Sequence, residues 1–227
     1  MFKDEQLTSN RKQSHHRIIL AISIIIILAN LATFFIYFSG KGSANLKLEN
    51  ILIEFTINMA IIGATIIWLR KGPDIELNKF ITTLMVGLVI FIFNCLMSGS
   101  REIFADFYLV IILSLLYFNL GVTVFSIILV AGLHAVFATL FIHDIGTQEL
   151  IVRNLNFIWA GIAAAAIATI AGGFLQTAIT KAHEAGEMAD NLKDVAASLV
   201  GEAELLNRSS STLLAASTST GDAARQV

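Results

Sequence analysis

The sequence changes character once, near Gln176. Before this residue it consists mainly of apolar stretches long enough to cross a lipid bilayer. After it the chain is polar, rich in alanine and serine, and apolar at every third or fourth position, which is the spacing of a helix with one apolar face. The apolar stretches are continuous rather than alternating, which argues against a transmembrane β-barrel. The sequence therefore predicts a bundle of membrane helices whose last member continues into a polar helix.

The composition agrees with a membrane location and argues against several other classes of protein. Hydrophobic residues make up 56% of the chain and charged residues 14%. In a soluble domain about half of the residues are apolar and about a quarter are charged. The net charge of -2 argues against a nucleic-acid partner, which would require a basic surface. The single cysteine, Cys95, cannot form an internal disulfide, and no His and Cys spacing fits a structural zinc site. Because no phosphate-binding loop, zinc-protease pattern or nucleophile serine is found, we expect neither an enzyme nor a cofactor.

Six segments approach the roughly 20 mostly apolar residues that a spanning helix needs. They are residues 17–38, 48–69, 80–98, 103–118, 120–142 and 155–175. The fourth is short, and only Asn119-Leu120-Gly121 separates it from the fifth. Asn and Gly suit a tight turn. We therefore expect a helical hairpin here, because a single helix through both segments would be about twice the length of one crossing.

The distribution of lysine and arginine predicts the orientation in the membrane. With the N-terminus inside, the cytoplasmic side carries eight of these residues near the helix ends: Lys3, Arg11, Lys12, Arg17, Arg70, Lys71, Lys79 and Lys181. The outer side carries four: Lys41, Lys47, Arg101 and Arg153. We therefore expect an all-α membrane protein with a six-transmembrane-helix bundle at residues 17–175. It lies between cytoplasmic segments at residues 1–16 and 176–227, so both termini are inside.

From Ala185 onward a heptad repeat can be written without a break, which is typical of a coiled coil. One position of the seam holds Ala185, Leu192, Leu199, Leu206, Leu213, Thr220 and Val227. The other holds Met188, Val195, Glu202, Ser209, Ala216 and Ala223. Because Glu202 and Ser209 weaken the second position, we expect a loosely packed, homodimeric coiled coil. The alternatives are an amphipathic helix on the membrane surface, which the acidic residues of this segment disfavour, and a disordered tail.

The end of the chain provides a family resemblance. Residues 206–227, with the sequence LNRSSSTLLAASTSTGDAARQV, resemble the start of the cytoplasmic signalling helix of methyl-accepting chemotaxis proteins, where small Ala, Ser and Thr residues alternate in this way with Leu, Gly and Gln-Val pairs. The resemblance implies a receptor of the bacterial inner membrane whose output passes to a chemotaxis kinase and adaptor. Two features of the family are missing: a HAMP-like linker after the last membrane helix, and the hairpin tip that engages the kinase. The chain therefore resembles the sensor and first cytoplasmic helix of such a receptor, truncated before the tip, and we assign no methylated residue.

Polar side chains inside the apolar segments are candidates for a binding site, because they are costly to place in lipid. Glu54 and Asn58 are one turn apart on the second segment, and Asn94 and Asp106 lie near the outer ends of the third and fourth. These positions predict one polar pocket in the outer half of the membrane. The alternative is that the carboxylates reach water and the asparagines join neighbouring helices.

The histidines allow a metal or haem interpretation, which we disfavour. His134 and His143 are nine residues apart, which places them on opposite faces of a straight helix, so they cannot bind one ion together. We expect His134 to be a buried, hydrogen-bonded histidine and keep it as a candidate ligand-binding residue. His15 and His16 precede the first segment among basic residues and indicate interfacial charge.

The sixth segment is rich in small residues, which allow helices to approach closely. The residues at helical spacing are Gly161, Ala165, Ala168 and Gly172. They predict either packing inside the bundle or a dimer seam continuous with the coiled coil. We also expect Gly172-Gly173 to make the exit from the membrane flexible.

Taken together, these features predict a transmembrane sensor that transmits a stimulus to a cytoplasmic coiled coil. The loops at residues 39–47, 99–102 and 143–154 are too short to fold as a sensory domain, so the stimulus must act in the membrane or at its outer surface. Three alternatives stay open: the sensor region of a histidine kinase or cyclase, a small membrane transporter or channel, and a structural dimer module without a ligand. The identity of the stimulus does not follow from the sequence.

Overall fold

The computed structural model describes residues 2–40, 46–73, 75–97, 103–141 and 146–225, and within them every regular element is helical. The long helices are α1 (Phe2–Phe38), α2 (Leu48–Lys71), α3 (Leu77–Leu96), α5 (Leu120–Phe141) and α6 (Thr147–Arg225). Between α3 and α5 lie a 3-10 turn (Ile103–Phe107), α4 (Tyr108–Ser114) and a second 3-10 turn (Leu115–Tyr117). The chain divides into two compact units, with the boundary between Gln176 and Thr177.

Five of the helices in the described part are long and apolar enough to cross a membrane. These stretches are Lys12–Phe38, Leu48–Lys71, Leu77–Leu96, Leu120–Phe141 and the apolar part of Thr147–Leu214. Large apolar side chains on their outer faces are exposed, such as Phe35 at 75% and Phe174 at 72%. Because lipid solvates such side chains and water does not, this surface is compatible with a membrane protein.

The short fourth segment, Ile103–Tyr117, has an α-helical centre and a 3-10 turn at each end. The larger rise of the 3-10 turns extends its length to roughly 26 Å. At one end the side-chain amide of Asn94 donates a hydrogen bond to the carbonyl of Ile103, 3.3 Å away. At the other end the Ser14 hydroxyl donates to the carbonyl of Leu116 at 2.9 Å, so the segment joins the last turns of α3 to the first half of α1.

A tight turn connects this segment to α5, as the sequence predicts. Phe118 adopts a left-handed conformation with φ 48°, which ends the second 3-10 turn. The Asn119 side-chain oxygen accepts a hydrogen bond from the backbone N–H of Val122 at 3.1 Å and so caps the first turn of α5.

The core of the first unit consists of apolar side chains from α1 to α5 and the first part of α6. Among the fully buried side chains are Ile22, Val89, Phe107, Val130 and Phe157. Phe107 makes edge-to-face contacts with both Phe137 and Phe157, with ring centroids 6.4 Å apart in each pair. These contacts hold the fourth segment against α5 and α6.

Two long helices begin earlier than expected, and one expected flexible junction is absent. Helix α1 begins at Phe2 and α6 at Thr147, because the polar residues that precede both apolar runs are also good helix formers. Helix α6 shows no break at Gly172-Gly173, so the flexible junction expected there is not found. Each glycine costs about 1 kcal/mol in a helix, and the long flanking runs of helix-forming residues offset that cost. Three residues used in the sequence analysis lie outside the described part of the chain. They are Lys41 and Arg101, which were counted for the orientation, and His143, which was compared with His134.

Candidate functional site

A group of three buried polar side chains lies where α1 meets α2. Glu54 is 4% exposed and Asn58 is fully buried, and the Asn58 side-chain N–H donates to a Glu54 carboxylate oxygen at 2.5 Å. Asn30 of α1, also buried, lies beside the same carboxylate. Glu54 Oε2 and the side-chain oxygens of both asparagines have no hydrogen-bond partner within the described part of the chain.

A cavity of about 430 Å³ opens next to this group. Its walls come from α2, α3 and α5 and include Glu54, Asn50, Ile57, Ile92, Cys95 and Phe141. Small-molecule sites have this size and this mixture of apolar walls with few polar groups. A small ligand that carries an ammonium or hydroxyl group would match the carboxylate chemically, but the unpartnered oxygen is itself buried and would first have to be uncovered.

The structure places the other two candidate residues in different surroundings. Asn94 is fully buried and uses its amide to hold the carbonyl of Ile103. Asp106 lies half-buried in the first 3-10 turn. Within the described residues no hydrogen bond joins either of them to Glu54 or Asn58. Glu54 and Asn58 are therefore in contact, whereas Asn94 joins α3 to the fourth segment.

His134 lies in an aromatic cage and is fully buried. Its ring meets the rings of Phe104, Phe107 and Phe157 edge-on, with centroids 6.4, 6.1 and 5.2 Å away. Burial agrees with the expectation for this histidine. In the described part neither ring nitrogen makes a hydrogen bond of good geometry, although the side chain of Asn154 lies beside the ring. No group of three His, Cys, Asp or Glu residues that could hold a metal is found among the residues that were described.

Arg153 lies at the edge of this cage. Its guanidinium lies 4.4 Å from the centre of the Phe104 ring, a cation–π contact. It also pairs with Glu149 one turn earlier on α6. The beginning of α6 therefore contributes a charged side chain to the bundle, although this region was expected to be a loop.

A second polar group, which the sequence did not indicate, lies at the opposite end of the bundle. The ring of His15 is 6% exposed, and its Nδ1 lies 2.5 Å from the Tyr117 hydroxyl and 3.2 Å from the Thr82 hydroxyl. The expectation of interfacial charge is therefore wrong for His15, because its side chain faces α3 and the fourth segment. His16 is exposed, as expected.

The small residues of α6 face α5 and the turn that precedes it. A Cβ atom on Gly161 would lie 2.4 Å from the side chain of Ile127, and one on Gly172 would lie 2.9 Å from the carbonyl of Phe118. Ala168 is 1% exposed and Ala165 is half-buried. This arrangement favours packing within the bundle over a dimer seam along these residues.

The second unit presents the predicted heptad residues on its surface. The six seam residues are between 56% and 71% exposed: Met188, Leu192, Val195, Leu199, Leu206 and Leu213. The structure therefore leaves this row of apolar side chains uncovered within one copy of the described chain.

The comparisons with known proteins do not extend this description. No protein-family model, curated protein or solved structure matches the chain. The fold by itself defines a class: an all-helical protein, over the residues described, with several helices long and apolar enough for a membrane.

Proposed function

We propose that the protein is a membrane sensor of the chemoreceptor type, in which α6 transmits a stimulus from the helix bundle to a cytoplasmic coiled coil. The observation that carries the proposal is the continuity of α6 over 79 residues, from Thr147 to Arg225. One helix contains both an apolar stretch of membrane length and the heptad segment. Since a helix resists bending and twisting, a displacement at one end is passed along its length.

The proposal includes six crossings with both termini in the cytoplasm of the inner membrane. Five helices in the described part have the required length, and we propose the shorter apolar segment Ile103–Tyr117 as the sixth crossing. Support comes from its contacts with both ends of α3. Ile103 meets Asn94, and Tyr117 meets the His15 that also contacts Thr82. Thr82 and Asn94 are roughly 18 Å apart along α3.

The exposed seam supports a homodimer. Burial of Leu192, Leu199 and Leu206 against a second copy would remove large apolar side chains from water, each worth about 1.5–3 kcal/mol. Glu202 and Ser209 keep the seam weak enough to respond to a change at the membrane. An output through a chemotaxis kinase and adaptor is what the resemblance of residues 206–227 implies.

The Glu54 cavity is our candidate for the place where a stimulus acts. It lies between α2, α3 and α5, so a ligand there would favour one packing of these helices over another. A coupling free energy of about 1–3 kcal/mol between such a site and the coiled coil would be ordinary for a receptor.

Disulfide cross-linking in intact membranes tests the proposal. With Cys95 replaced by serine, Leu192→Cys and Leu199→Cys should form dimers under mild oxidation. Ala197→Cys, which lies on the opposite face of the helix in the heptad, is the matched control and should form few. Equal cross-linking at all three positions would argue against a coiled coil.

The same variants test the orientation. A membrane-impermeant maleimide should label Leu199→Cys only after the membrane is opened. Labelling of intact cells would place the tail outside and contradict an even number of crossings.

A further inference from the structure

A second pocket lies between α1 and α2, at the end of the bundle that is richest in lysine and arginine. Its volume is about 390 Å³. None of its wall residues also lines the Glu54 cavity, so the two are separate places in the bundle. Neither the polar group around Glu54 nor the heptad segment accounts for it.

Basic side chains from two helices converge on this pocket. Lys12 and His16 of α1 and Arg70 of α2 line it, and all three are exposed at the surface. An arginine and a lysine at one opening form a favourable site for a phosphate group, which the guanidinium can bind through two hydrogen bonds.

The walls change from basic to apolar with depth along the helices. On α1 the positions Lys12, His16 and Leu20 follow one another at four-residue intervals, so one face passes from charge to hydrocarbon over roughly 12 Å. On α2, which runs in the opposite direction, Ile66 lies one turn before Arg70 and gives the same order. The one polar side chain deeper in the described wall, Ser23, donates its hydroxyl to the carbonyl of Ile19. A phospholipid has this same order, with a charged phosphate at the surface and acyl chains in the bilayer.

We propose that this pocket binds an anionic phospholipid, with the headgroup phosphate between Lys12 and Arg70 and the upper part of an acyl chain against Leu20 and Ile66. A basic pocket between membrane helices on the cytoplasmic side is suited to such a headgroup. A free inorganic anion would make no use of the apolar wall. The inference does not depend on the signalling role of α6.

The test uses the full chain purified in a neutral detergent. Binding of phosphatidylglycerol and of phosphatidylcholine with identical acyl chains is compared by native mass spectrometry, and inorganic phosphate is added as a competitor. Phosphatidylglycerol should bind at least tenfold more tightly than phosphatidylcholine. Phosphate at a hundredfold excess should displace little of it.

Two neighbouring residues supply a matched pair of variants. Arg70→Gln should lower the affinity for phosphatidylglycerol about fivefold, as should Lys12→Gln, since each basic residue near an anionic lipid surface contributes a factor of this size. Lys71→Gln removes an adjacent exposed charge that does not line the pocket, and it should change the affinity less than twofold.

Three outcomes would overturn the inference. The first is equal binding of the two lipids. The second is an equal loss of affinity in Arg70→Gln and Lys71→Gln, which would indicate general attraction to the basic surface. The third is full displacement by phosphate, which would identify a soluble anion as the ligand.

Discussion

Asn58 and Glu54 form a buried pair on α2, in which the asparagine N–H donates to a carboxylate oxygen 2.5 Å away. Because they are one turn apart, a single helix fixes the geometry of both. The pair holds one carboxylate oxygen, while the second, Glu54 Oε2, has no hydrogen-bond partner in the described residues. Glu54 also lines the 430 Å³ cavity, so the same side chain belongs to the buried polar pair and to the candidate ligand site.

Loss of the Asn58 donor should destabilise the bundle. Asn58→Leu is expected to lower the free energy of unfolding by about 1 kcal/mol, because it leaves the buried carboxylate with one hydrogen bond fewer. Unfolding in mixed micelles with a denaturing detergent measures this. Thr56→Val is the control, because Thr56 is exposed and bonds only to its own helix. A double-mutant cycle of Asn58→Leu with Glu54→Gln that shows no coupling would contradict the pair.

The contact between His15 and Tyr117 should contribute measurably to stability. Tyr117→Phe keeps the ring but removes the hydroxyl that lies 2.5 Å from His15 Nδ1, and should cost about 1 kcal/mol. Tyr37→Phe is the matched control, because the hydroxyl of Tyr37 takes part in none of the described hydrogen bonds. If both variants unfold at the same denaturant concentration as the parent protein, the contact between His15 and Tyr117 does not stabilise the bundle.

His134 permits a test that separates packing from ligand binding. His134→Phe should leave the free energy of unfolding unchanged or raise it by up to about 1 kcal/mol, because neither buried ring nitrogen makes a hydrogen bond of good geometry in the described part, even to the nearby Asn154. His134→Ala should cost about 2–4 kcal/mol through the cavity that it leaves in the aromatic cage. A strong destabilisation by His134→Phe, similar to that by His134→Ala, would show that the imidazole nitrogens have a partner in the protein as purified.

The buried stripe of α1 shows how much of the site could be predicted from the sequence. Ile18, Ile22 and Ile26 repeat every four residues and are buried at 2% or less. One further step in each direction gives Ser14 and Asn30, and both are buried polar residues. Ser14 donates to the carbonyl of Leu116, and Asn30 lies beside Glu54 of α2. The continuous apolar run begins only after Ser14, so a search by hydropathy treats the beginning of α1 as a solvated segment. The four-residue period would have identified both residues.

Contacts between distant helices could not be predicted in this way. His15 and Tyr117 are 102 residues apart, and their contact depends on which helices are neighbours. The same is true of Asn94, whose amide faces the fourth segment rather than the Glu54 cavity. Helix length and apolarity are local properties and were predicted closely for α2, α3 and α5. Which face of a helix meets which partner is set by packing across the whole bundle.

The close approach of α5 and α6 predicts opposite effects on stability for two similar substitutions. Gly161→Ala should destabilise the bundle by about 1–3 kcal/mol, because the new Cβ would lie 2.4 Å from the Ile127 side chain and the two helices would have to separate. Gly132→Ala on α5 meets no atom within 4 Å and should stabilise the protein by up to about 1 kcal/mol through its better helix propensity. Both can be measured by denaturing-detergent titration. A stabilising effect of Gly161→Ala equal to that of Gly132→Ala would mean that α6 does not pack against α5 through its small residues, and that this face is free for contact with a second copy of the protein.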